Sequence, residues 1–210
     1  MVMLVLSLDS AMATQQQTYT RNHLINYQIN ISPLEDATDY AQAKIVQRKT
    51  ATITVEGKEI LLKLDRYKYQ SLLSTYYSAE DFLVDELSSE EGKGVIFTGK
   101  FRGEKVENAY VHFAFLNFCK TLPEVEKFIN DKDGLITSNR WRVVFRTQKV
   151  PYFWAKEKIV FSKGKDIVGE IYIGASKGKF FYVITHFLVG YGDRLPKSAD
   201  IILQNLQIEN

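Results

Sequence analysis

Residues 152–188 read YFWAKEKIVFSKGKDIVGEIYIGASKGKFFYVITHFL. Three runs rich in β-branched and aromatic residues, Tyr152 to Phe161, Ile167 to Gly174 and Phe180 to Leu188, are separated by Lys163-Gly164-Lys165 and Ser176-Lys177-Gly178-Lys179. Such residues fit a pleated, half-buried surface, and tight Gly-bearing connections join neighbouring antiparallel strands. The runs are therefore expected to be consecutive strands of one antiparallel sheet. Downstream, Leu195, Ala199, Ile202, Leu203 and Leu206 recur at i, i+4, i+7, i+8 and i+11, the stripe of a helix that starts near Pro196 and packs on that sheet.

Working upstream, Trp141 to Thr147 reads as another strand, and before it Thr121-Leu122-Pro123-Glu124 combines a cap residue, a first-turn Pro and a Glu three residues after the cap. Val125, Phe128 and Ile129 give that helix its apolar face, and it is expected to run to about Lys132 and stop at Asp133-Gly134. Earlier still, strand-like runs occur at Thr50 to Val55, Glu59 to Asp65, Leu72 to Tyr77, Phe82 to Leu87, Val95 to Phe101 and Ala109 to Leu116. Glu56-Gly57-Lys58, the polar run from Ser88 to Gly94, and Arg102-Gly103-Glu104 are the turns between them. His23 to Ile31 alternates as a strand ended by Pro33, and Leu34 to Ala43 suits a turn or two of helix. The reading is an α/β chain of the α+β type, mainly antiparallel sheet, with a mid-chain helix and a C-terminal helix, forming one domain over residues 23–208.

Composition agrees with a packed core: 45% hydrophobic, 25% charged and 13% aromatic residues in 210. The net charge of +2 supplies no general field for nucleic acid. Its distribution is uneven. Residues 140–197 hold twelve Lys or Arg against four Asp or Glu, whereas Glu80, Asp81, Asp85, Glu86, Glu90 and Glu91 form an acidic cluster. Such an asymmetry either orients the protein toward a charged partner or reflects solvated strand faces and turns.

Searching for chemistry yields little. Cys119 is the sole cysteine, which excludes an internal disulfide and a Cys-based zinc site. Gly94 to Lys100 mimics the start of a phosphate-binding loop, but Phe101 stands where that loop needs Ser or Thr. His23, His112 and His186 lack the spacing of a local metal or triad motif, and His112 and His186 lie within apolar runs. Asp81 and Asp85 could act as a carboxylate pair or merely solvate a turn. No catalytic residue, metal or cofactor is expected. Two functional readings follow: a non-catalytic binding or assembly protein, or a small-ligand carrier or hydrolase-type enzyme whose site gathers dispersed His and carboxylate residues.

Arg140-Trp141-Arg142 and the run Tyr152, Trp154 and Lys156 interleave cations with aromatic rings. These six residues are the candidate partner contacts, because Arg, Trp and Tyr anchor protein interfaces. A protein partner is expected in preference to nucleic acid, although base stacking uses the same residue types.

The final strands, followed by Tyr191-Gly192-Asp193-Arg194, Lys197 and Ala199 at the head of an amphipathic helix, resemble the C-terminal end of the PsbP family over about residues 95–208. The helix from Thr121 also stands where that fold places one. The resemblance implies a PsbP-like α/β/α sandwich and a non-catalytic accessory protein of photosystem II type in an exported compartment. Residues 151–158 and 199–203 are also similar to uncharacterised cyanobacterial proteins.

Val2 to Leu8 is apolar, and Ala11-Met12-Ala13 fits the small-x-small pattern before signal peptidase cleavage, so residues 1–13 read as the remnant of a signal peptide. Export to a periplasm or thylakoid lumen is the expectation, with a cytoplasmic location as the alternative because the basic n-region is missing. No other stretch reaches the roughly 20 apolar residues of a membrane span. Peripheral association with a membrane complex remains compatible with this pattern.

Overall fold

The computed structural model describes residues 48–89 and 92–209. The signal-like segment and the expected strand and helix between His23 and Ala43 lie outside the described residues. Within them the chain is mostly antiparallel sheet with a few helices.

The strands among the described residues are β1 (Arg48–Val55), β2 (Lys58–Tyr69), β3 (Leu73–Tyr77), β4 (Phe82–Ser88), β5 (Gly92–Phe101), β6 (Glu104–Leu116), β7 (Arg142–Thr147), β8 (Ala155–Lys163), β9 (Ile167–Ser176), β10 (Lys179–Leu188) and β11 (Gln207–Ile208). The helices are α1 (Leu122–Asn130), α2 (Leu135–Ser138) and α3 (Arg194–Gln204), with a 3₁₀ turn at Val189–Tyr191. A large sheet has the order β4-β5-β6-β10-β9-β8-β7 and a small one the order β1-β2-β3-β11. The large sheet is two meanders, β4-β5-β6 and β7-β8-β9-β10, joined where β6 pairs antiparallel with β10 from Phe115↔Phe181 to Tyr110↔His186.

Turn chemistry sets the hairpins. Glu56-Gly57, Arg102-Gly103 and Lys177-Gly178 each place two consecutive residues at positive φ, the backbone a two-residue hairpin of this hand requires. Strand alternation then divides the core. On β6, Val111, Phe113 and Phe115 face one side and Tyr110, Ala114 and Leu116 the other. The second face is covered by Val125 and Ile129 of α1 and Leu135 and Ile136 of α2. The first is covered by Leu195, Ala199, Ile202 and Leu203 of α3, by Leu206, and by Tyr69 and Leu73 of the small sheet. Ile201, on the back of α3, packs with Ile53, Leu62 and Leu64 of that sheet. The helix is thus enclosed between two sheets.

Some boundaries differ from the sequence reading. β5 starts at Gly92 and β6 at Glu104, inside segments expected to be turns: Gly92↔Leu116 and Lys93↔Phe115 extend the pairing at one end, and Lys100↔Lys105 and Phe101↔Glu104 continue it past the bulge near Thr98 at the other. Tyr152 to Trp154 is loop, not strand; β8 begins at Ala155. The α1 cap is as expected: the Glu124 carboxylate accepts from the N–H of Thr121 at 3.1 Å and of Lys120, and these backbone donors hold it below the ordinary carboxylate range. Thr121→Ala removes the reciprocal half of the box and should cost about 1 kcal/mol. A lowered urea midpoint with unchanged slope would show it; an unmoved midpoint would mean that the cap is irrelevant to stability.

Candidate protein-contact edge

β7 forms one border of the large sheet, and among the described residues it pairs only with β8. The register shifts between Val143 and Phe145, which places Val144 at a bulge. Pairing opposite Ile159 sets Arg146 on the side of α1, while Phe145, opposite Val160, faces the other way. Val144 is 56% exposed and Phe145 50%. Large apolar side chains on an open edge mark a place where another chain can add.

The loop between β7 and β8 is held by its alternate residues. The hydroxyl of Tyr152 donates to Asp200 Oδ1 at 2.5 Å, and Trp154 Nε1 donates to the carbonyl of Leu203 at 3.1 Å. Both acceptors belong to α3. The two rings stack at 5.3 Å and are 7% and 1% exposed. With its neighbours fixed inward, Phe153 points outward and is 72% exposed.

This changes the expected contact set. Trp141, Tyr152 and Trp154 are core residues and not surface anchors; Trp141 stacks on Phe161 at 4.1 Å. Their aromatic character suits a surface and an interior equally, and only the three-dimensional packing distinguishes the two. Arg140, Arg142 and Lys156 are exposed. Val144, Phe145 and Phe153 were not singled out in the sequence, although the alternation Tyr152-Phe153-Trp154 holds the signal: two rings turned in turn the third out.

The charges around β7 fall into two groups. Arg146 pairs with Glu157 at 3.3 Å and also donates to Asn130 Oδ1, and Lys158 pairs with Glu170 at 2.9 Å. Arg140, Arg142, Lys149 and Lys156 have no carboxylate at ion-pair distance among the described residues. Behind the edge, Tyr172 donates to Glu170, and burial followed by that acceptor pushes its phenol well above the ordinary range. Tyr152 is raised by burial and by Asp200. These phenols are un-ionised structural donors.

The opposite border, β4, carries acidic side chains and accepts hydrogen bonds from the small sheet. Tyr69 donates to the carbonyl of Leu87 at 3.1 Å and Tyr67 to Glu86 at 2.9 Å, both from the small sheet. Asp81 is buried, accepting from Arg194 Nε and Ser198 Oγ at 2.7 Å each, so it ties the start of β4 to α3. Asp85 instead meets Lys105 at 3.9 Å. The two carboxylates therefore have separate partners.

His112 and His186 come to the same face of adjacent central strands, beneath α1 and α2. His112 meets Tyr182 edge-on at 5.8 Å, and burial lowers its pKa to about 4. His186 stacks on Tyr110 at 4.8 Å, and its Nδ1 donates to the carbonyl of Asn108 at 2.8 Å. Burial lowers its pKa too, against the pull of that carbonyl. His23 lies outside the described residues. Cys119 is buried, which pushes its thiol up to about 11 and leaves it un-ionised. Among the described residues no three His, Cys, Asp or Glu side chains gather as a metal site, and no helix is long and apolar enough to cross a membrane. A shallow cleft of about 280 Å³ lies between Phe101, Lys105, Asn108 and Tyr191, lined by neither histidine. No protein-family model, no curated protein and no solved structure matches this chain.

Proposed function

We propose that this protein is a non-enzymatic binding or assembly module that docks a partner protein along β7 and the loop that follows it. The observation that carries this reading is the combination of a border strand whose outer side has no strand partner among the described residues, exposed Val144 and Phe145 on it, and exposed Phe153 in the loop that follows. Isolated exposed apolar residues are ordinary, but Val144 and Phe145 lie on a strand whose outer backbone is unpaired among the described residues, an edge that strand addition would cover. Anchoring of Tyr152 and Trp154 on α3 supports it further, since a held loop loses little freedom on docking. The accessory role follows the PsbP-like resemblance, which rests on β8, β9 and β10 followed by α3. An exported protein peripheral to a membrane complex is the setting that resemblance favours.

Site-specific photo-cross-linking tests the surface. A benzophenone side chain at Phe153 should trap a partner of defined mass in extract of the native host, whereas the same group at Leu61, 66% exposed on β2, should not. Cross-linking that is equal at both positions, or absent at Phe153, would remove β7 as the docking edge.

A further inference from the structure

We infer that the segment docked on β7 is an extended acidic stretch of the partner, added to the large sheet as a further strand; this rests on the docking edge proposed above. Among the described residues the outer side of β7 offers backbone N–H and C=O groups to an incoming strand, since its one pairing partner there, β8, occupies the inner side. Around that edge Arg140, Arg142, Lys149 and Lys156 are exposed and without carboxylate partners among the described residues, while Arg146 and Lys158 are already neutralised. The surplus charge on β7, at its two ends and on the neighbouring β8 is thus positive. Arginine forks bind carboxylates with two parallel hydrogen bonds, so acidic side chains are the complementary chemistry.

The same charges argue against a second copy of this chain. Pairing β7 with another β7 brings two sets of these cations together, and like charges across a strand pair destabilise it. Pairing it with β4 would match charge, but the Leu87 carbonyl of that border already accepts from Tyr69, and the Glu86 carboxylate already accepts from Tyr67. Phe145 and Val144 add an apolar requirement. The fitting segment alternates Asp or Glu with apolar residues, and the bulge at Val144 limits the length of regular pairing.

The test uses the full chain and three short fluorescein-labelled peptides: alternating Glu and Val, the same with Lys for Glu, and the Glu peptide N-methylated on alternate residues. Anisotropy should show binding of the first alone, weakened by salt as screening requires. Arg142→Glu should weaken it about tenfold or more without moving the thermal midpoint, and Lys58→Glu, in the distant β1–β2 hairpin, should not. Equal binding of the Lys peptide would overturn the acidic requirement, and equal binding of the N-methylated peptide would overturn strand addition. Concentration-dependent dimerisation in sedimentation that Arg142→Glu changes would assign the edge to a second copy and overturn the inference. Cross-linking at Phe153 with no binding of the Glu peptide would leave the docking edge standing and remove the acidic strand alone.

Discussion

Gly169→Ala should destabilise the protein by about 3 kcal/mol, the upper part of the range for overpacking a filled interior. Gly169 sits in β9 directly opposite Phe161 of β8 and His186 of β10. A methyl group there would lie 2.3 Å from Cζ of Phe161 and 2.3 Å from the carbonyl oxygen of Thr185. The ring could turn aside only by leaving its stack on Trp141, and the carbonyl is backbone, so relief demands that β9 and β10 separate. Thermal unfolding should fall by about 10 °C for a chain of this size. Gly190→Ala is the control, because a methyl there meets nothing within 4 Å and its backbone is not left-handed. Equal midpoints for the two variants would show that the sheet yields at Gly169 at little cost.

Acid should destabilise the fold through its buried imidazoles, and His112 carries most of the effect. Its pKa falls from 6.5 in the unfolded chain to about 4 in the core because burial disfavours the charged form. As pH drops below 6.5 the unfolded chain takes up a proton that the folded chain refuses, so stability declines until about pH 4 and this contribution then levels off. The interval corresponds to about 3 kcal/mol. His186, lowered in the same direction by burial, adds to the slope below pH 6.5. Urea unfolding at several pH values between 7.5 and 4 should show His112→Phe losing less stability than the parent by roughly that amount. Identical slopes would mean that His112 is protonated in the folded state at mild pH.

Local chemistry made much of this architecture legible. Two-residue hairpins announced themselves through Glu56-Gly57, Arg102-Gly103 and Lys177-Gly178, and the Thr121 box and the stripe from Leu195 to Leu206 gave the two principal helices. The division into two sheets was not legible, because β1, β2 and β3 alternate no differently from strands of the large sheet. β11 is two residues long and exists only because Gln207 and Ile208 meet Ser74 and Leu73. At the candidate edge the cations Arg140, Arg142 and Lys156 were readable. The buried aromatics were not distinguishable from exposed ones, since in the loop at 152–154 the facing of each ring is set by acceptors on α3, about fifty residues away in sequence.

The joining of β6 to β10 bears on how the chain reaches this state. Within each meander every strand pairs with its sequence neighbour, so those contacts close short loops and form early at small entropic cost. Pairing Phe115 with Phe181 and Tyr110 with His186 instead closes loops of some seventy residues, through α1 and α2. Such separations raise contact order and slow folding, which makes the central pair of strands, the best buried in the finished molecule, the step on which assembly of the two halves waits.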